Sequence, residues 1–365
     1  MLKPKDHFHG SDLEQIEKYY GIPSKDIISF SANVNPLGIS YKLRSTLAGQ
    51  IDAITTYPDR EYTALRHSIG TYVNINPDQI IVGNGATELI SLSFQNLKPQ
   101  KALLVSPTYS EYEREITSIG GKVTYYFLKE EQNFTLYMED FLSQLTMDLD
   151  LLILCNPNNP TSTALNVTQL KSILTECKKK QIFVLIDETY IEFVMDIQEY
   201  SSIPLTKEYD NLMVLRGISK FFAAPGLRLG YGVCSNRQLL NHINEKKNPW
   251  TINTLASIAG EIMFSDTAYI TETRNLIHSE RERVCQVLSA CPKLKVYEPT
   301  ANFVLVKLLG NEVTAHQLFE ACIHKGLMIR DCSTFPGLDE HFFRICFMKP
   351  EQNDALLETI LGILK

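Results

Sequence analysis

The sequence predicts an α/β protein, with a large unit built on a mostly parallel sheet and a smaller α/β unit after it. Three observations carry this expectation. Short apolar segments alternate with helix-like segments between about residues 79 and 234. Runs such as LLILC and FVLI are almost continuously apolar, which suits strands covered on both faces. After Asn253 the texture changes to a long charged helical stretch and a shorter set of strands and helices.

The elements follow in order. Ser11 and Glu14 read as a capping box, Leu13, Ile16 and Tyr20 share one helical face, and Gly21 can stop that helix. Strands are expected at 79–82, 102–106, 122–127, 151–155, 183–186, 212–215 and 229–234, forming a seven-stranded sheet. Helices fall between most of them, including 61–73, 88–97 and 167–179. A single helical stretch over 252–290 precedes a strand at 303–307, a helix near 314–325, strands at 327–330 and 343–347, and a last helix near 352–364. The expected division is an N-terminal segment at 1–45 packing on the small domain, a large domain at 46–252 and a small C-terminal domain at 253–365. No Pro/Gly/Ser linker and no repeat separates them, so a cleft between closely packed domains is the default site.

Composition narrows the function classes. A length of 365 residues suits two unequal domains. The net charge of −7 argues against nucleic acid as a partner, although a locally basic pocket is compatible with it. The eight cysteines form no CxxC pair and no zinc-like spacing with His, so no metal is expected. Free thiols inside apolar runs fit a reducing cytoplasm. The start, MLKPKDHFHG, lacks the apolar core of a signal peptide, and no run is long enough to span a membrane.

Five segments carry chemistry. In SKFFAAPGLRLGY, Ser219, Lys220 and Arg228 bring together a hydroxyl, an imine-forming amine and a guanidinium, which suits a cofactor with both an aldehyde and a phosphate. In IFVLIDETYIEF, Asp187 ends a buried strand and Tyr190 follows; in isolation the pair also reads as a helix cap and a core aromatic. In LLILCNPNNPTS, Asn159 sits in a loop where its amide can meet a ligand, although Asn-Pro clusters also make turns by themselves. In IIVGNGATELI, Gly85 and Ala86 open a helix whose N–H groups can hold an anion. Tyr109 in SPTYSEY follows the next strand and reads equally as a ring-stacking or a core tyrosine. Arg330 and Arg344, on apolar strands of the small domain, read as internal salt bridges or as a fork for a carboxylate or phosphate. Trp250, the only tryptophan, is expected to pack near the cleft.

Taken together, these motifs resemble the fold-type-I pyridoxal 5′-phosphate (PLP) enzymes of the aminotransferase class I/II superfamily, in the family's order and over nearly the whole chain. The resemblance implies PLP as cofactor and Lys220 as the lysine bonded to it. It implies Asp187 as the partner of the pyridine nitrogen, and Tyr190 and Asn159 as partners of the phenolic oxygen. Gly85, Ala86, Ser219 and Arg228 would form the phosphate cup, and Tyr109 would stack on the ring. Tyr57, in TTYPDREY, would reach the phosphate of a neighbouring subunit, which implies a homodimer. Gly217 departs from the family, which usually carries Ser or Thr three residues before the lysine.

Two relatives within the superfamily compete. FHGSD, FSANVNPLG, PWTINTLAS and STFPGLDEHFFR are similar to the L-threonine-O-3-phosphate decarboxylases of cobalamin biosynthesis. The PTYSEY setting of Tyr109 is more similar to histidinol-phosphate aminotransferases. The first resemblance implies a lyase whose small phosphorylated amino-acid substrate is gripped by His9, Asn33, Arg330 and Arg344; the second implies transamination with 2-oxoglutarate. A non-catalytic sensor on the same fold would be expected to add a nucleic-acid-binding module, and the chain has no spare length or basic stretch for one.

Overall fold

Seven of the apolar runs pair into one sheet in the computed structural model, which describes residues 12–365. In chain order the strands are β1 (Ile28–Ser29), β2 (Ile80–Gly83), β3 (Lys101–Ser106), β4 (Lys122–Phe127), β5 (Leu151–Cys155), β6 (Phe183–Asp187), β7 (Leu212–Gly217), β8 (Gly230–Cys234), β9 (Leu294–Val296), β10 (Phe303–Leu308), β11 (Leu327–Met328), β12 (Arg330–Asp331) and β13 (Phe342–Cys346). The large sheet runs β2-β8-β7-β6-β5-β3-β4. Only β8 is antiparallel to its neighbours; the remaining pairings are parallel. This is the mostly parallel seven-stranded sheet that the apolar runs predict. Helices such as Gly85–Leu97 and Val167–Lys179 lie between strands, and β7 and β8 are buried along their whole length. β4 is one of the two edge strands; its burial alternates and Phe127 is exposed, whereas β2 at the other edge is buried.

A second sheet, β12-β13-β10-β9, is wholly antiparallel. The N-terminal segment joins this part of the molecule. β1 pairs in parallel with β11, and the Cys346 N–H donates to the Phe30 carbonyl at 2.8 Å. Among the described residues no helix is long and apolar enough to cross a membrane.

Several boundaries differ from those expected. The first helix is Leu13–Tyr20, ended by Gly21 in the left-handed region at φ 68°, as its sequence implies. The proposed capping residue Ser11 lies outside the described residues. The stretch 252–290 is two helices, Thr254–Met263 and Thr267–Ser289, because Asp266 caps the second by accepting from the Tyr269 N–H. The run 327–330 divides between two partners: β11 pairs with β1, and β12 pairs with β13. Trp250 is not a cleft-packing residue. It is 42% exposed, with its ring 4.6 Å from that of Tyr57 and Arg60 over its face. That position puts it in a surface cluster.

A buried ion cluster ties the central strands together. Arg216 on β7 donates to Glu188 Oε2 from Nε at 3.0 Å and from Nη2 at 2.8 Å. Glu188, which follows β6 directly, also accepts from the Ser202 N–H and hydroxyl. Glu192 lies 3.6 Å from Arg216, and burial pushes its carboxyl up to about 7. Removing one member of such a cluster leaves the others charged and unpaired in the interior. Arg216→Met should therefore lower unfolding stability by about 3–5 kcal/mol, measured as a fall in the urea midpoint.

Candidate active site

The chemical residues converge because parallel strands present their C-terminal ends on one side of the sheet. Asp187 ends β6 and is paired in register with Cys155 on β5 and Leu215 on β7. Three residues after β7 comes Lys220. Both line a cavity of about 840 Å³, together with Tyr109, Asn159, Tyr190 and Arg228. Gly85, Ala86, Ser219, Asn33, Arg330 and Arg344 complete the part of its wall that sequence reasoning singled out. Two candidates stand apart. Tyr57 is 78% exposed and is not part of the wall. His9 lies outside the described residues.

Lys220 Nζ donates to the Ala32 carbonyl at 2.7 Å. Burial, then the nearby Arg344 charge, push its amine down to about 8. More of it is therefore in the neutral, nucleophilic form near neutral pH than for an ordinary lysine. Asp187 is almost fully buried; its Oδ2 accepts from the Tyr112 hydroxyl at 2.7 Å. Its Oδ1 accepts from the Thr189 N–H at 2.9 Å and the Thr189 hydroxyl at 2.5 Å. Burial outweighs these donors and holds the carboxyl above its ordinary range. Tyr190 is buried too, which pushes its phenol up to about 12; its hydroxyl accepts from Asn33 Nδ2 at 3.4 Å.

At the other end of the cavity, Gly85 opens the helix Gly85–Leu97 at φ +78°. A Cβ there would stand 2.5 Å from Arg228 Nη2, and one on Gly230 would stand 2.3 Å from the Ala86 nitrogen. Glycine at both positions lets the helix start, Arg228 and β8 close on one another. At Gly217 a Cβ would meet only Ala86 Cβ at 3.7 Å and Ser219 Oγ at 3.8 Å, ordinary contacts. The backbone there leaves room for the side chain that this sequence lacks.

The small unit supplies the two arginines. Arg330 and Arg344 are register partners on β12 and β13. Arg344 donates from Nη1 to Asn159 Oδ1 and from Nη2 to the Ser31 carbonyl at 2.7 Å. That occupies the Asn159 oxygen and leaves its amide N–H as what Asn159 can offer a ligand. Arg330 stacks on Phe335 at 5.4 Å and donates to the Thr334 hydroxyl at 3.4 Å; burial pulls its pKa down. Arg344 Nε, Ser31 Oγ and Asn33 Oδ1 are buried without a hydrogen-bond partner among the described residues. Orphaned polar atoms of this kind mark where a polar ligand would sit. Ser31, the Ala32 carbonyl, Thr189, Thr334 and Tyr112 were not picked out from the sequence. Each lies inside a motif that the sequence offers, Thr189 between Asp187 and Tyr190 and Tyr112 three residues after Tyr109, but residue type alone does not single it out.

Comparison with known proteins gives a consistent picture. The family model described as aminotransferase class I and II matches residues 25–360. The chain is 38% identical to a candidate threonine-phosphate decarboxylase of Caldanaerobacter subterraneus, over 91% of this chain and 89% of that protein. It is 33% identical to the threonine-phosphate decarboxylase of Salmonella typhimurium, over 98% of this chain and 96% of that protein. Among solved structures, the histidinol-phosphate aminotransferase of Clostridium acetobutylicum superimposes with a TM-score of 0.86 at 34% identity, covering 92% of this chain and 98% of that one.

The electrostatics of Lys220 can be tested directly. Only a neutral amine attacks an aldehyde, so the rate at which protein freed of cofactor captures an aromatic aldehyde should rise with pH and level off above about 8. Arg344→Met removes a positive charge that disfavours the ammonium form, so the levelling point should move to higher pH in a stopped-flow absorbance titration.

Proposed function

The chain belongs to the aminotransferase class I and II family, and from that premise we propose that it is a PLP-dependent lyase. In this reading it removes the carboxylate of L-threonine-O-3-phosphate as CO₂ and yields (R)-1-amino-2-propanol O-2-phosphate, a step of cobalamin biosynthesis. The near-full-length similarity to two proteins named as threonine-phosphate decarboxylases carries the proposal.

The cavity suits the cofactor on three counts. Its low-pKa amine suits an aldehyde. Its buried carboxylate needs a cationic partner such as a ring N–H⁺. The close approach of Gly85, Ala86 and Arg228 leaves a cradle of N–H donors for a phosphate. Bound PLP supplies a protonated conjugated ring that takes up the electron pair left at the substrate Cα when one of its bonds breaks.

The chain's own residues then have distinct tasks. Lys220 would hold the cofactor by its aldehyde carbon, and its amine, once free, would serve as proton donor or acceptor. Asp187 keeps the proton on the ring nitrogen. Tyr190 and Asn159 hydrogen-bond the phenolic oxygen, and Tyr109 covers the ring face. Gly85, Ala86, Ser219 and Arg228 bind the cofactor phosphate. Arg330 and Arg344, with Asn33 and His9, would grip the substrate phosphate and leave its carboxylate unheld. Binding energy spent on orienting the substrate would then select the bond that breaks. After CO₂ leaves, Lys220 Nζ delivers the proton that Cα gains. Two copies form a dimer in this reading, and exposed Tyr57 reaches the phosphate bound by the neighbouring subunit.

The similarity to the Clostridium acetobutylicum aminotransferase supports a second reading. In it the arginines would orient the substrate so that Lys220 removes the Cα proton.

Incubation of the PLP-loaded protein with L-threonine-O-3-phosphate and no keto acid should release CO₂ and aminopropanol phosphate in equal amounts over many turnovers. No CO₂, with 2-oxoglutarate-dependent turnover of histidinol phosphate, would overturn decarboxylation in favour of the second reading.

A further inference from the structure

The Asp187 carboxylate has two oxygens served from different parts of the chain. Oδ1 is held within its own turn, by the Thr189 N–H and hydroxyl. Oδ2 is held from another element, by the Tyr112 hydroxyl at 2.7 Å. Tyr112 lies on the helix Glu111–Ser118 and is 1% exposed, so water does not compete for that hydroxyl. Burial and the Asp187 charge hold its phenol far above the ordinary range, so it stays a donor at every working pH. Its ring also meets Tyr109 edge-on, with centroids 5.6 Å apart and planes at 84°. Tyr109 and Asp187 both line the cavity, and Tyr112 touches each of them.

We propose that Tyr112 is the positioning residue of the cofactor site: its hydroxyl aims the Asp187 carboxylate, and its ring edge fixes the plane of Tyr109. This rests on the PLP reading above and deepens it. A carboxylate hydrogen-bonded by Tyr112 is a weaker base, so the proton it shares with a ring nitrogen lies on the nitrogen. Without that donor the carboxyl, already disfavoured as an anion by burial, retains the proton itself. Among the described residues, Glu188 on the same turn, the Cys155 thiol on β5, Tyr109 and Tyr190 are also titratable groups beside Asp187 or Tyr112, and none of the four supplies a replacement cation.

Tyr112→Phe separates the two tasks, since it keeps the ring and removes only the hydroxyl. PLP binding to cofactor-free protein should weaken roughly ten- to a hundredfold, the range for losing a hydrogen bond to a charged group. The holoenzyme's cofactor absorbance should shift toward the form with a neutral ring nitrogen. Adding Tyr112→Phe to Asp187→Asn should change neither quantity further, because Tyr112 acts through Asp187. A residue that merely supports the fold would instead give the same loss in both backgrounds, seen also in the melting temperature of the cofactor-free protein. Unchanged PLP affinity and absorbance in Tyr112→Phe, or equal losses in the two backgrounds, would overturn the inference alone. Failure of the unmodified protein to take up PLP would overturn the cofactor reading and the inference with it.

Discussion

The Arg216–Glu188 ion pair is the constraint on which the geometry of the cleft depends. It joins β7 to the turn after β6, one residue beyond Asp187 and four before Lys220. A carboxylate and an amine that must act on one small molecule are thus carried by adjacent strands and locked at their ends. Strand register sets their relative height, since Asp187 is opposite Leu215. The ion pair adds a link at the point where the ladder ends and both chains turn away. Buried pairs of this kind add little net stability against an apolar replacement, so a role in orientation accounts better for the pair here.

The cavity inverts the charge of the molecule around it. The chain carries a net charge of −7, yet its cleft gathers Lys220, Arg228, Arg330 and Arg344 against Asp187 and Glu111. Low-dielectric walls concentrate that positive field. Burial first, and then that field, lower the lysine pKa, so the features that attract an anionic ligand help keep the amine reactive. The β12–β13 ladder fixes the spacing of the two arginines. In the proposed function the small sheet would hold this pair as a fork for the substrate phosphate.

Much of this was legible in the sequence, for identifiable reasons. The strands of the large sheet are apolar runs bounded by Gly, Asn and Asp, and the residues at their C-terminal ends are the ones that converge. Asp187, Lys220 and Asn159 each lie just past such a run. What was not legible depends on partners distant in the chain. Nothing local at Ile329 reveals that the residues before it pair with β1 and those after it with β13. Tyr112 and Asp187 are 75 residues apart, and the Lys220 contact with the Ala32 carbonyl spans 188. A backbone carbonyl leaves no trace in residue identity. Trp250 misled because an aromatic side chain near a cleft motif reads as core, while its actual neighbours, Tyr57 and Arg60, form a surface cluster.

The central claim is that the buried amine of Lys220 is the group that bonds the cofactor. Borohydride reduction of the PLP-loaded protein fixes that bond, and peptide mass spectrometry then locates it. The account predicts one pyridoxyl-modified peptide per chain, with the modification on Lys220 and none in Lys220→Ala. Modification of a different lysine, or none in protein that carries the cofactor's absorbance, would contradict it.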